Sequence, residues 1–178
     1  DGHSEYAVSI KVKNTGSRAG KDVIQLYGSA PYTSGGIEKA HKVLVGFIKT
    51  DLLAPGEEKS YTLTFDPYDL ASFDDRDLNG NGFYGYELEE GDYTLYVSHS
   101  AHDEEFAVPF AVAPGGIRYE TDPTTGTEVT VRFSDADDAI TTFLSRADWV
   151  GTWPTVPDDS VRAGSEEINT ALGSTTAN

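Results

Sequence analysis

An oxygen-rich segment in the middle of the chain has the residue types of a calcium loop. Asp77, Asn79 and Asn81 place side-chain oxygens at every second position, and Gly82 follows them. This is the first half of the D-x-[DN]-x-[DN]-G pattern, in which alternate oxygens and a glycine turn surround a hard cation. Phe83 stands at the seventh position, where the pattern uses a backbone carbonyl.

The second half of the calcium pattern is incomplete. The twelfth position should carry a bidentate glutamate but holds Leu88, so Glu87 or Glu89 would have to supply the carboxylate with a different geometry. The two Asn-Gly pairs are also strong turn signals, because both residue types tolerate positive φ. Two interpretations therefore stay open: a connecting loop that needs no cofactor, or a calcium site whose five ligands are Asp77, Asn79, Asn81, Phe83 and Glu87.

The abundant carboxylates do not predict a catalytic pair. The acidic clusters at 74–77, 87–90 and 103–105 fall in turns and at strand ends, where we expect water to solvate them. A catalytic acid needs apolar surroundings that raise its pKa. His99 and His102 lack further ligands at a recognisable zinc spacing, so they predict no metal centre.

Charge and composition exclude several classes of partner. Thirty acidic and 13 basic residues give a net charge of −17, which would repel nucleic acid and anionic membrane surfaces, so we expect neither partner. The chain has no cysteine, which removes disulfides, thiolate catalysis and zinc–thiolate sites. We expect a soluble protein. Composition does not distinguish a bacterial cytoplasmic location from secretion.

Alternating apolar and polar residues run through the first two-thirds of the chain. Tyr6, Val8, Ile10 and Val12 begin the pattern, and comparable runs recur up to residue 112. Six or seven short strands separated by turn signals are typical of an antiparallel β-sandwich of fibronectin type III or immunoglobulin kind. Within this region only residues 66–73 suggest a helix, and it would be a single turn; a second short helix, capped by Ser134, is suggested in the C-terminal segment.

Composition changes at residues 114–116, where Pro-Gly-Gly precedes a polar segment rich in Pro, Ser and Thr. Such a segment has too little apolar surface to fold alone. We therefore predict a β-sandwich over residues 1–112 and a largely irregular extension over 113–178. The extension would lead toward a catalytic domain that the chain does not contain.

Several ordered blocks of the sandwich resemble the fibronectin type III-like module of glycoside hydrolase family 3. An Asn-Thr-Gly turn at 14–16 precedes VIQLY at 23–27, and KVLVGF at 42–47 leads into PGE at 55–57. The segment FSDADDAITTFLSRADW, at 133–149, is similar to the one that comes after this module in family members with swapped domain order.

The resemblance implies a non-catalytic accessory module of a retaining β-glycosidase, most often a β-glucosidase. Such enzymes need two carboxylates about 5 Å apart. In this family the nucleophile, an aspartate, lies on a barrel and the acid/base, usually a glutamate, on an α/β sandwich, and neither domain is visible here. Asp148-Trp149 resembles the sequence context of the nucleophile but lacks the surrounding β/α repeat. No catalytic residue is therefore assigned.

The long loop at residues 29–42 is the predicted docking surface, because it carries lysines in a strongly acidic chain. Exposed aromatic and cationic residues suit contact with catalytic domains of the same polypeptide, with carbohydrate contacted only indirectly. The predicted docking residues are Tyr32, Lys39, His41, Lys42, Trp149 and Trp153. Contact with the substrate rim, or no role beyond connecting strands, are the alternatives for the loop. An independent carbohydrate-binding or adhesion module is the competing function.

Overall fold

The computed structural model describes residues 5–132, 135 and 142–149. Residues up to Arg146 belong to one compact unit, and a second unit begins at Ala147. The described residues form nine strands: β1 (Tyr6–Lys13), β2 (Val23–Ser29), β3 (Val43–Lys49), β4 (Glu58–Phe65), β5 (Ser72–Asp74), β6 (Gly85–Leu88), β7 (Gly91–Ser98), β8 (Phe106–Val112) and β9 (Ile117–Tyr119). Two short 3₁₀ helices are η1 (Pro67–Leu70) and η2 (Arg146–Trp149). No helix in the described ranges is long and apolar enough to cross a membrane.

All strand pairs are antiparallel, and they form three sheets. β1 and β4 form a two-stranded sheet, β3-β2-β7-β8 form a four-stranded sheet, and β5-β6-β9 form a short third sheet. This arrangement confirms the predicted all-β antiparallel sandwich. The alternation of apolar and polar residues explains this sandwich, since it gives each strand one apolar face that can be buried.

The main core lies between the two-stranded and four-stranded sheets. Leu63 of β4 and Leu26, Leu95 and Val97 of the larger sheet are all buried in one cluster. Tyr93 is almost fully buried and stacks on Phe110 of the neighbouring strand, with ring centroids 5.2 Å apart. Burial of these side chains is the main force that holds the sheets together.

Helix η1 covers one end of this core. Asp66 caps it by accepting a hydrogen bond from the backbone N–H of Tyr68 at 2.9 Å, and Pro67 occupies the first turn, where its missing N–H costs nothing. Leu70 is buried against Gly28 of β2, where an added Cβ would come within 2.4 Å of the leucine side chain. The close approach therefore requires glycine at position 28. The helical turn predicted at 66–73 is confirmed.

The chain stays within the first unit beyond residue 112. Gly116 donates a backbone hydrogen bond to Ala113 at 3.1 Å, and this turn leads directly into β9. β9 pairs with β6, so Tyr119 reaches the main core. The Pro-Gly-Gly signal is thus a turn between two strands here. The division of the longer polypeptide into parts at residue 112 stays a prediction.

Candidate functional site

The loop between β2 and β3 uses its lysines inside the chain. Lys39 is buried, donates a hydrogen bond to the carbonyl of Pro31 at 2.8 Å and forms an ion pair with Glu89. A buried ammonium needs such partners because leaving water is costly. Lys39 therefore fastens the loop to the β6–β7 turn, and its charge is already neutralised.

Lys42 is also bound within the chain. Its ammonium lies 4.4 Å from the centroid of the Tyr96 ring, pairs with Glu104 at 2.7 Å and donates to the carbonyl of Ala101 at 3.2 Å. His41, beside it, is exposed. Docking by Lys39, His41 and Lys42 stays a prediction, and of these three side chains only that of His41 is exposed.

Tyr32 belongs to a clamp that sequence reasoning did not foresee. We call Tyr32, Glu38, Ser145 and Arg146 the Glu38 clamp. The Tyr32 hydroxyl donates to Glu38 at 3.2 Å and shares a hydrogen bond with the Ser145 hydroxyl at 3.0 Å. The backbone N–H of Arg146 donates to the other Glu38 oxygen at 2.8 Å, and the Arg146 guanidinium lies 3.7 Å from the Tyr32 ring centroid. The loop thus binds the last residues of its own unit.

The electrostatics of the clamp favour the ionised carboxylate. Burial opposes ionisation of Glu38, but hydrogen bonds from the Arg146 backbone and from Ser145 and Tyr32 outweigh it and lower the pKa of Glu38. A second contact fixes the same segment, because the Arg76 guanidinium lies 3.6 Å from the centroid of the Phe143 ring. Residues 143–146 are therefore held at two places.

Two carboxylates near the oxygen-rich loop are buried rather than solvated. Glu87 is 3% exposed and accepts hydrogen bonds from the side-chain amides of Asn79 at 2.9 Å and Asn81 at 2.7 Å. Asp74 accepts from the backbone N–H groups of Arg76 at 3.0 Å and Leu78 at 2.8 Å. The expectation that these acidic clusters are solvated is wrong for these two residues, because strands β5 and β6 carry them inward.

Burial raises the pKa of Glu87, while the two amide hydrogen bonds act against that shift. The remaining oxygens of the segment are used for turns. Asp77 accepts from the N–H of Gly82 at 2.8 Å, and Asn81 accepts from the N–H of Phe83 at 2.7 Å. Across the described ranges, no group of three or more His, Asp or Glu side chains could hold a metal. Calcium at this loop stays a prediction, and it would require the amides of Asn79 and Asn81 to turn their oxygens inward.

An apolar patch on β3 was not found by sequence reasoning. Phe47 is 70% exposed and Leu44 is 47% exposed. Phe47 pairs with Gln25 and Leu44 pairs with Tyr27, and the ladder has a bulge between these two pairs. The bulge interrupts the alternation of inward and outward side chains along β3. The sequence KVLVGF therefore does not indicate which of its side chains point outward. The signal available beforehand was the unusually apolar edge strand itself.

The two tryptophans of the predicted docking surface, Trp149 and Trp153, lie outside the first unit. Trp149 ends η2 and is 51% exposed, while Trp153 lies outside the described residues. Their part in docking therefore stays a prediction.

Comparison with known proteins finds a family model that matches part of the chain. A family model described as Fibronectin type III-like domain matches residues 22–101. Residues 22–101 are thus similar to a fibronectin type III-like domain. Strands β2 to β7, the Glu38 side of the clamp and the apolar patch lie within these residues.

The similar proteins are much longer than the chain. A β-glucosidase from Ruminococcus albus is 42% identical over 105 residues, which are 59% of this chain and 11% of that protein. Beta-glucosidase A from Butyrivibrio fibrisolvens is 41% identical over 95 residues, 53% of this chain and 11% of that protein. The structure of β-glucosidase 3B from Thermotoga neapolitana in complex with alpha-D-glucose matches with a TM-score of 0.52 and 35% identity, covering 62% of this chain and 14% of that one. The matched part of the chain is thus similar to a small part of each of these relatives, and the chain spans about a tenth of the two curated proteins.

Proposed function

We propose that the chain is the non-catalytic accessory module of a family 3 β-glucosidase and supports catalytic domains of the same polypeptide. Its relatives are β-glucosidases in which the matching segment is a small part of a long chain. The two buried carboxylates near the oxygen-rich loop, Asp74 and Glu87, bind donors of that same loop. They therefore have a structural use and do not supply the reactive pair of a retaining glycosidase.

The Glu38 clamp is the main observation in favour of the proposed supporting role. It holds Ser145 and Arg146 at the point where the first unit ends. A segment held by two hydrogen bonds and a stacked guanidinium leaves the module from a fixed place, so a domain joined to it would be tethered to a rigid body. Catalysis benefits from such support because small displacements of reacting groups lower the rate strongly.

The test uses the longer polypeptide with an aryl β-glucoside as substrate. We expect the intact polypeptide to hydrolyse it, and a version lacking residues 1–146 to be soluble but slow or unstable. A catalytic fragment that keeps full activity and thermal stability would contradict the supporting role. The independent carbohydrate-binding or adhesion module would then become the leading account.

A further inference from the structure

An open cleft of about 640 Å³ lies beside strand β6 and shares no lining residue with the Glu38 clamp. We call it the β6 cleft. Its walls come from β5, β6 and the hairpin after β9, and it combines aromatic, aliphatic, acidic and hydroxyl side chains with one guanidinium. That volume is in the range of small-molecule sites, which join an apolar wall to a few polar groups.

The aromatic wall of the cleft is held rigidly. The Tyr86 ring meets Phe73 edge-on at 5.0 Å and Tyr68 edge-on at 5.5 Å. Tyr68 in turn packs against Tyr119 at 4.8 Å, and its hydroxyl donates to Asp122 at 3.2 Å. Because these rings are fixed without a ligand, binding would lose little side-chain entropy.

The polar wall is built by the hairpin after β9. Asp122 accepts hydrogen bonds from the backbone N–H groups of Thr125 and Thr124, both at 2.8 Å, and these bonds lower its pKa. The hairpin closes through a bridge between Thr121 and Glu128. The Glu128 and Arg132 side chains are exposed, and neither forms an ion pair with another described residue. They can therefore act on a ligand.

The charge of the lining selects the class of ligand. The cleft lining contains three acidic residues, Asp75, Asp122 and Glu128, and one arginine, in a chain of net charge −17, which disfavours anions. Ring faces suit the C–H surface of a pyranose, while carboxylates accept hydrogen bonds from hydroxyl groups and Arg132 donates to sugar oxygens.

We propose that the β6 cleft binds a neutral saccharide of one or two rings. The sugar lies against Tyr86 and Phe73, and Glu128 and Arg132 bind its hydroxyl groups. This site goes beyond the supporting role and does not depend on it. The module can bind sugar weakly whether or not its removal slows a catalytic domain.

The test titrates the full 178-residue chain with D-glucose and with cellobiose, monitored by backbone NMR. We expect saturable shifts confined to Phe73, Tyr86 and residues 122–132. Glu128→Gln and Arg132→Ala should each weaken binding about tenfold, since each removes a charge-assisted hydrogen bond. Asp92→Asn and Arg18→Ala are matched controls, because both residues lie outside the cleft; they should bind as the parent chain does.

Three outcomes would overturn the proposal. One is the absence of saturable shifts with either sugar up to about 100 mM, beyond the weakest useful affinity. Another is equal weakening by the control variants. The third is saturable binding of choline at the same residues without any response to sugars, which would assign the cleft to cations. None of these results bears on the deletion experiment that tests the supporting role, so the two failures are distinguishable.

Discussion

Glu38 accepts a hydrogen bond from the backbone N–H of Arg146 at 2.8 Å, across a sequence separation of 108 residues. This contact joins the loop between β2 and β3 to the last residue of the first unit. The loop that the sequence assigns to docking on other domains thus also binds a segment of the chain itself, and that docking stays a prediction.

Removing the Glu38 carboxylate should release that segment. In Glu38→Ala the Arg146 amide loses its acceptor, so we expect its hydrogen exchange to become about tenfold faster. Glu58→Ala is the control, because Glu58 is a half-exposed glutamate on β4 that pairs with Lys11 at 3.6 Å, away from the clamp. Equal Arg146 exchange rates in the two variants would show that the clamp does not hold the segment.

The clamp should also weaken in acid. The pKa of Glu38 is lowered from its ordinary value of 4.5, so its stabilising contribution is present above that pH and is lost as pH falls through the lower folded value. We expect the Arg146 amide resonance to titrate with a midpoint below 4.5, and the transition to disappear in Glu38→Gln. A midpoint at or above 4.5 would contradict the hydrogen-bonded geometry.

The buried Glu87 should be important for stability. Glu87→Ala leaves the amides of Asn79 and Asn81 without an acceptor and opens a cavity, so we expect the free energy of unfolding to fall by about 2–4 kcal/mol. Glu87→Gln keeps the volume and one acceptor and should cost about 1–2 kcal/mol. Denaturant unfolding measures the free energy of unfolding of both variants. Glu120→Gln is the control, because Glu120 is exposed, and it should change the free energy of unfolding by no more than about 0.5 kcal/mol. A Glu87→Gln variant as stable as the parent would contradict a net contribution from the second carboxylate oxygen.

Calcium can be tested on the same loop. With Asn79 and Asn81 donating to Glu87, the segment satisfies its own polar groups, and we expect the Tm to be the same with calcium and with a chelator. A Tm that rises with calcium concentration, and that no longer does so in Asp77→Ala, would establish the calcium site and show that the amides reorient.

The apolar patch on β3 should be important only in the longer polypeptide. Phe47 is largely exposed, so Phe47→Ser should leave the Tm of the isolated chain almost unchanged. If catalytic domains pack on this patch, the same change should lower the Tm of the longer polypeptide, because a buried aromatic contact is lost. A longer polypeptide that tolerates Phe47→Ser would place the docking surface elsewhere. Asp92→Asn, a position on β7 away from the patch, controls for general effects.

Local patterns predicted the long strands and failed for the short ones. β1, β4 and β7 each alternate over eight residues, so their buried face is readable from sequence alone. β5 and β9 have three residues each, too few to show a period, and they exist because both pair with β6. The pairing partner lies far along the chain for β9, and no local signal reports it.

The same distinction separates the parts of the candidate site. Residue types correctly singled out Asp77, Asn79 and Asn81 as an unusual turn, because their short polar side chains bind nearby backbone groups. Nothing in the spacing showed that Glu87 is buried beneath that turn or that Lys39 pairs with Glu89. Burial of a charge depends on which strands close over it.

By itself, the sequence determined the antiparallel β-sandwich, the family resemblance and the absence of thiol chemistry, since these depend on residue type and short-range period. Only the tertiary structure decided where the charges lie. It placed Lys39 and Glu87 inside, left Phe47 outside and brought Glu38 to Arg146. Contacts between distant segments are set by how the sheets stack and by which loops meet at their edges, and no local pattern encodes that geometry.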